Sequence, residues 1–387
     1  MNAWTRRQLL GTGLAGAAAA CAPVVWADGP DDPLDVIARR KGLRFGCALG
    51  RRGLRDPQYR ELLARECGML VHENELKMTV IQKQPGEFDF APADEVAQFA
   101  ADHQLLLRGH TLLWHHPRWL PRWLDEYDLG AEPATAAAEL LNAYIRKVTA
   151  NYEKRIVSWD VVNEAVDNLT GEMRETRFSR AIGTPDQVVE IAFRAAREQL
   201  PDTELVYNDY MGWEKDSAAH RDGVLRLLER LRRKGVPVNA LGIQSHIGCG
   251  NQDANASRVF DARDEKAWRA FLHEVTGMGY RLILTEFDVH DATLPADIEP
   301  RDRAVASLAR AYLDLTLDFR ETSALLCWGL ADHFNWLQGR KPRTEGVRKR
   351  PTPFDSNYRA KPLRDAIAAA FRAAPARRPS IPQGEPA

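Results

Sequence analysis

Two glutamates close two short apolar runs in this sequence. Glu164 ends Val157-Ser158-Trp159-Asp160-Val161-Val162-Asn163-Glu164, and Glu286 lies in Leu282-Ile283-Leu284-Thr285-Glu286-Phe287-Asp288. Both runs combine β-branched, aromatic and other apolar residues and are too short for a surface helix, so they read as strands. A carboxylate at the tip of a buried strand is costly if packing is its only purpose. In a closed α/β barrel the C-terminal strand tips are where active sites are built. Two strands that each deliver a glutamate there would face one substrate with a pair of carboxyls, one able to give a proton and the other to act as base or nucleophile.

The elements that must hold such a pair recur along the chain. Strand-like runs fall at 43–48, 68–71 (with its polar tip at 72–77), 105–110, 156–164, 204–210, 240–246, a stretch ending at Glu286, and 324–329. Between them lie segments of helical period, such as Leu141, Tyr144, Ile145, Val148 and Tyr152, or Val224, Leu227, Leu228 and Leu231. A short helix at 34–40 could plug one end, and a last helix occupies about 362–371. A doubly wound sheet would use the same alternation. Polar and aromatic residues collect at many strand ends rather than at one switch point, which favours an α/β fold of the (β/α)8 TIM-barrel type, a single domain over 31–372. The Pro- and Arg-rich stretch 373–387 reads as a disordered tail.

The length of 387 residues accommodates one large barrel, and 44 % hydrophobic residues supply a core. A formal net charge of −1 gives no reason to expect nucleic acid or an anionic membrane as a partner. None of the five cysteines forms a C-x-x-C pair, and His110, His115 and His116 lack a neighbouring carboxylate or cysteine that would complete a ligand set, so no metal and no cofactor is expected. Cys47 and Cys327 fall in strands as buried thiols, with one disulfide left open. A membrane span is not expected, and the chain is read as a monomer.

Here the sequence acquires a family likeness. Trp159-Asp160-Val161-Val162-Asn163-Glu164-Ala165 resembles the acid/base motif of glycoside hydrolase family 10, the endo-1,4-β-xylanases, and Leu284-Thr285-Glu286-Phe287-Asp288 resembles its nucleophile strand. Five further stretches match in the family's order: Glu73-Asn74-Glu75-Leu76-Lys77, Gly109-His110-Thr111-Leu112-Leu113-Trp114-His115, Tyr207-Asn208-Asp209-Tyr210, Gly242-Ile243-Gln244-Ser245-His246 and Trp328-Gly329. The resemblance implies Glu164 as acid/base and Glu286 as nucleophile of a retaining enzyme on xylan or xylo-oligosaccharides. It implies Asn163 on the sugar 2-hydroxyl, and His246 holding the nucleophile with Asp288 behind it. Glu73, Asn74 and Lys77 would contact sugar hydroxyls on the non-reducing side. His110, Trp114, Trp328 and Trp336 would surround the sugar next to the cleavage point, with His115 in support. Tyr210 would stack on the leaving-group side, and Gln244 and Asn208 would bond near the acid. The chain has Pro117 where the family often has Gln, Met78 where it often has Trp, and Met211 where it often has Asn, departures that bear on contacts with the substrate chain. The Lys-, Arg- and Pro-rich stretch 338–351 reads as a solvated surface loop, with recognition of acidic decorations as the alternative. Rival readings are a retaining β-glycosidase of glucan or mannan on the same fold, a carbohydrate-binding protein without turnover, and a glycosyl transferase.

Ahead of the barrel, Thr5-Arg6-Arg7-Gln8-Leu9-Leu10 and the Gly- and Ala-rich run to Val25 resemble a twin-arginine export signal occupying 1–27, cut after Ala27. Lipid attachment at Cys21 is the alternative. The expectation is a bacterial protein exported folded to the periplasm or beyond. The mass of the exported protein checks this: it should begin at Asp28, and an intact Met1 would rule the signal out.

Overall fold

A computed structural model of the chain describes residues 29, 32–248, 260, 262–340, 343 and 346–380. The twin-arginine segment, Cys21 and Cys249 lie outside the described residues. Residues Pro33–Ala387 make one unit, which holds every element below.

Eight strands follow one another with helices between them: β1 (Arg44–Leu49), β2 (Met69–His72), β3 (Leu106–Trp114), β4 (Ser158–Asn163), β5 (Glu204–Asp209), β6 (Ala240–Ile243), β7 (Arg281–Val289) and β8 (Thr322–Cys327). Each is parallel to the next, from Gly46 opposite Met69 to Leu284 opposite Leu325. β8 returns to β1 with Cys47 opposite Cys327, which closes the ring. The expected eightfold barrel is therefore what forms. Alternation divides the strand residues between two packed layers. Phe45, Cys47 and Leu49 face the helices, while Ala48, Val71, Val206, Ile283 and Leu326 fill the barrel interior. The helices expected from their apolar periods appear, among them Pro133–Tyr152, Ala218–Arg233 and Ile298–Asp318. Leu34–Arg39 is the expected short helix, and Asp35 on it accepts from the backbone N–H of Phe45 at 2.8 Å. Cys47, Cys67 and Cys327 are buried free thiols. Among the described residues no helix is long and apolar enough to cross a membrane.

Three expectations need correction. The strand expected at 240–246 breaks after Ile243, because Ser245 takes a φ of 62°, and only His246–Ile247 resumes pairing, with β7. The strand expected to stop at His110 runs on to Trp114. The expected tail from 373 is not disordered at its start. Ala374 is buried, and the Arg377 guanidinium donates to the carbonyls of Phe319, Thr322 and Leu317 at 2.7–2.9 Å, satisfying acceptors at the foot of the barrel.

A polar ladder crosses the otherwise apolar interior. Arg281 at the start of β7 donates twice to Glu204 on β5, at 2.9 and 2.7 Å. Glu204 accepts from Ser158 at 2.8 Å, Ser158 accepts from Arg108 at 3.2 Å, and Arg108 donates to Asp160 at 2.6 Å. His110 Nδ1 stands 3.0 Å from the other Asp160 oxygen. Burial opposes charge on Asp160, but the Arg108 guanidinium and the His110 hydrogen bond outweigh it and hold the carboxyl below its usual range. Both partners of the central pair are fully enclosed, so removing one leaves an uncompensated buried charge. Arg108→Leu should cost about 3–5 kcal/mol in chemical denaturation. A loss below about 1 kcal/mol would show that Asp160 is satisfied without it.

Candidate active site

Strict alternation does not place both glutamates in the barrel mouth. On β7, Ile283 and Thr285 point inward, which would send Glu286 outward. The β7–β8 register shifts between Leu284 and Phe287, and after this irregularity Glu286 also faces the mouth while Phe287 stays in the outer layer. β4 behaves alike. The register shifts between Asp160 and Val162, so that Val161 and Val162 both pack outward and Asn163 turns in to meet Asn208. Glu164 then takes a φ of 55°, a left-handed conformation that costs a non-glycine residue about 1 kcal/mol and swings its side chain over the mouth.

Two neutral donors hold the Glu164 carboxyl: Gln244 Nε2 at 2.8 Å and the Trp114 indole N–H at 2.9 Å. Burial raises its pKa, with the Asp209 and Glu286 carboxylates adding to the effect and the two hydrogen bonds opposing it. Glu286 has different company. Asn208 Nδ2 donates to Oε1 at 2.8 Å, and His246 Nε2 stands 3.3 Å from Oε2. His246 Nδ1 is 2.9 Å from Asp288, whose other oxygen accepts from Asn335 at 3.0 Å and from the Trp336 indole at 2.7 Å. Burial works against a charged His246, yet the Asp288 and Glu286 carboxylates prevail and raise its pKa to about 10. One acid thus sits among neutral donors and the other against an imidazolium. Gln244 ties the two together, because its carbonyl accepts from the Glu286 backbone N–H at 3.0 Å while its side chain holds Glu164.

Both acids open into one cleft of about 820 Å³. Its walls include Glu73, Asn74, Lys77, His110, Trp114, Asn163, Tyr210, Gln244, His246, Trp328 and Trp336, so these expected site residues converge. Lys77 Nζ donates to Asn74 at 2.8 Å and lies over the Trp114 ring at 4.8 Å and the Trp328 ring at 6.0 Å. Burial and the neighbouring Glu75 raise the Glu73 pKa to about 7, which lets it accept or donate a hydrogen bond near neutrality. The Tyr210 hydroxyl accepts from Arg174 at 2.8 Å and donates to Asn168 at 2.9 Å. Among the described residues no group of three or more His, Cys, Asp or Glu is placed to hold a metal ion.

Two expectations change at this point, for Asn208 and for the stretch 338–351, while His115 keeps the supporting place expected of it. Asn208 is fully buried beneath the cleft and bonds Glu286, Asn163 and Thr285, so it positions other groups instead of touching substrate. His115 is also fully buried. Its Nε2 meets the Arg174 carbonyl at 2.9 Å and burial lowers its pKa to about 4, which makes it a neutral strut for the loop behind the cleft. The basic stretch 338–351 is only partly a solvated loop where it is described: Gly339, Arg340 and residues 346–348 are exposed, but other cations turn inward. Arg343 and Lys349 are buried on backbone carbonyls, Lys349 on Leu337 at 2.9 Å, and Arg350 makes two 2.7 Å bonds to Asp302.

The profile of Glycosyl hydrolase family 10 matches residues 34–370. The chain belongs to this family. Endo-1,4-beta-xylanase B of Thermotoga neapolitana is 30 % identical over 343 residues, 87 % of this chain and 91 % of its own. The Thermostable celloxylanase of Thermoclostridium stercorarium is 32 % identical over 81 % of this chain and 82 % of its own. Among solved structures, xylanase 10B from Thermotoga petrophila RKU-1 in complex with xylobiose superposes with a TM-score of 0.77 at 28 % identity, over 89 % of this chain and 98 % of that one.

Several residues of this family 10 site were not singled out by sequence. Asp160 lies inside the motif that ends at Glu164, and a strand period of two from Ser158 would have placed it inward. Arg174 and Asn168 come from the long loop after β4, which has no period, and nothing local marks them. Asn335 is signalled only by its place beside Trp336. The Asp288–His246–Glu286 chain makes a direct prediction. The His246 ring should stay doubly protonated through pH 8, as read from its imidazole ¹⁵N shifts. Its folded pKa lies above the ordinary value of about 6.5, so its stabilising contribution is complete below that value and fades as pH rises through about 10. A ring that is neutral at pH 8 would contradict this.

Proposed function

We propose that this family 10 protein is a retaining endo-1,4-β-xylanase that cuts inside xylan chains. The observation that carries the reading is the pairing at the cleft floor: a buried carboxyl with raised pKa, Glu164, and a carboxylate pinned by an imidazolium, Glu286, both held by Gln244. Cleavage of a glycosidic bond requires a proton on the leaving oxygen and a nucleophile at the anomeric carbon. Glu164 supplies the proton. Glu286 attacks from the other side, and the bond to the leaving sugar breaks as the glycosyl–enzyme ester forms. Glu164, now ionised, takes a proton from water, which attacks the same carbon and releases Glu286. His246 and Asn208 keep the Glu286 oxygens aimed, so the carboxylate need not reorganise during attack. Asn163, at the floor between the two acids, is placed for the hydroxyl beside the reacting carbon. Lys77, Trp114, His110 and Trp328 enclose the sugar that becomes ester-linked.

The names of relatives support xylan as the substrate, and the xylobiose complex of a structural neighbour supports a xylo-oligosaccharide in the cleft. One relative is named a celloxylanase, so glucan is the rival worth measuring. Export through the segment 1–27 is part of the same proposal, since the polymer lies outside the cell.

The first products from xylohexaose, followed by anomeric NMR, should be β-anomers. An initial α-anomer would exclude the covalent route. Release from soluble xylan should exceed release from carboxymethyl cellulose and mannan, and equal rates would remove the specificity claim. Glu286→Ala should lose on the order of 10⁴-fold in kcat. Near-native turnover would refute the assignment of the nucleophile.

A further inference from the structure

The hydrogen bond from Trp114 to Glu164 is only as well placed as the indole that makes it, and Trp114 is a half-exposed ring at the last position of β3. What backs this ring is the next segment of chain. His116-Pro117-Arg118-Trp119 forms a tight reversal in which the Trp119 N–H donates to the His116 carbonyl at 3.0 Å and the Arg118 N–H to His116 Nδ1 at 3.1 Å. Proline suits the second position of such a turn, since its fixed φ is already the one required. The reversal folds Trp119 back onto Trp114, with ring centroids 4.9 Å apart and planes 23° apart. The Arg118 guanidinium covers Trp119 at 4.9 Å, and Lys77 lies on Trp114 at 4.8 Å. The result is a stack of cation, indole, indole and cation along one wall of the cleft.

Trp119 remains 39 % exposed, unusually open for so large an apolar side chain in this protein. An exposed tryptophan on a cleft rim invites the reading of a stacking platform for a further sugar. The contacts argue otherwise, because an indole stacked on this ring and a guanidinium over it would compete with a sugar for its faces. Trp119 makes its closest ring contact with the residue that holds the acid. We propose that Trp119, turned back by Pro117, is a positioning residue for proton donation: it fixes the Trp114 indole so that its N–H holds the Glu164 carboxyl on the leaving oxygen. This rests on the reading of Glu164 as the acid.

The consequences are specific. A donor to the ionised form of an acid lowers its pKa, so a loosened Trp114 lets that of Glu164 rise. The other groups facing Glu164 are the Asp209 and Glu286 carboxylates, Lys77 and the Tyr210 hydroxyl, and none of them is supplied by the 116–119 turn. Activity that needs protonated Glu164 falls as pH rises through its pKa, so the alkaline limb should move up. A misaimed acid also matters most where the leaving group needs a proton.

The test compares kcat/KM on xylohexaose with that on 2,4-dinitrophenyl β-xylobioside, whose leaving group departs without protonation. Trp119→Ala should lose about 10-fold on the hexaose and less than about 3-fold on the aryl substrate, with the alkaline limb raised by about 0.5 pH unit. Trp119→Phe, which keeps a stacking ring, should stay close to the parent on all three counts. Should the Ala variant not fold, Trp119→Leu must reproduce its pattern. Equal losses on both substrates with an unmoved limb would overturn the proposal, as would a change confined to KM for the longer substrate. If the unmodified protein turned over neither substrate, the catalytic reading itself would fall. The packing claim would still be decided by the Trp114 indole N–H resonance, which should exchange faster with solvent in Trp119→Ala, and an unchanged rate would refute it.

Discussion

Two carboxyl groups share one cleft, and most of the barrel mouth is arranged to give them partners of different character. Like charges in a low-dielectric site repel, so the environment has to favour the proton on one group and its absence on the other. The protein separates them by the character of their partners. Glu164 receives hydrogen bonds from an amide and an indole, donors without charge, which offset its burial only in part. Glu286 receives an imidazolium whose own charge is sustained by Asp288. Asp288 is in turn tied to Asn335 and Trp336, so residues from β7 and from the segments after β6 and β8 serve one carboxylate.

This arrangement depends on polar groups that never meet the cleft. The line from Arg281 through Glu204, Ser158, Arg108 and Asp160 to His110 carries alternating charge from the foot of the barrel to its mouth. A buried network of this kind adds little net stability over an apolar core, but breaking any link is expensive. Its benefit is geometric: His110 cannot rotate while Nδ1 is engaged by Asp160, and it presents a fixed ring edge to Trp114 and Trp328. Asn208 plays the corresponding part on the other side, bridging Asn163 and Glu286 from below. Rigid support from residues outside the cleft is what keeps reacting groups aligned.

In the stretch after β8, Arg343 and Lys349 bond backbone carbonyls and Arg350 bonds Asp302, while Arg340 stays exposed at the cleft and lies over the Trp336 ring. Lys77 and Arg118 likewise lie on tryptophan rings, where they stiffen a wall while leaving the floor to the two acids.

The sequence by itself determined the eight strands, most of the helices between them and the two glutamates that open into one cleft. Those features are local: apolar periods, breakers, and polar residues placed where an apolar strand ends. It also determined that Asn163, His246 and Lys77 belong to the site, through motifs that keep their spacing. What it left to the tertiary structure is the direction of side chains. A period of two sends Thr285 and Glu286 to opposite faces, and only the shifted register against β8 lets both face inward. Asn208 reads as a contact near the acid through the family motif, yet packing closes over it, and His115, read as a support, is buried behind the cleft. Arg174 and Trp119 come from loops without period, and their roles exist only because folding brings them against Tyr210 and Trp114. Pattern along a chain reports which face a residue prefers, whereas bulges, turns and cross-strand partners, which depend on residues far away in the chain, decide which face it receives.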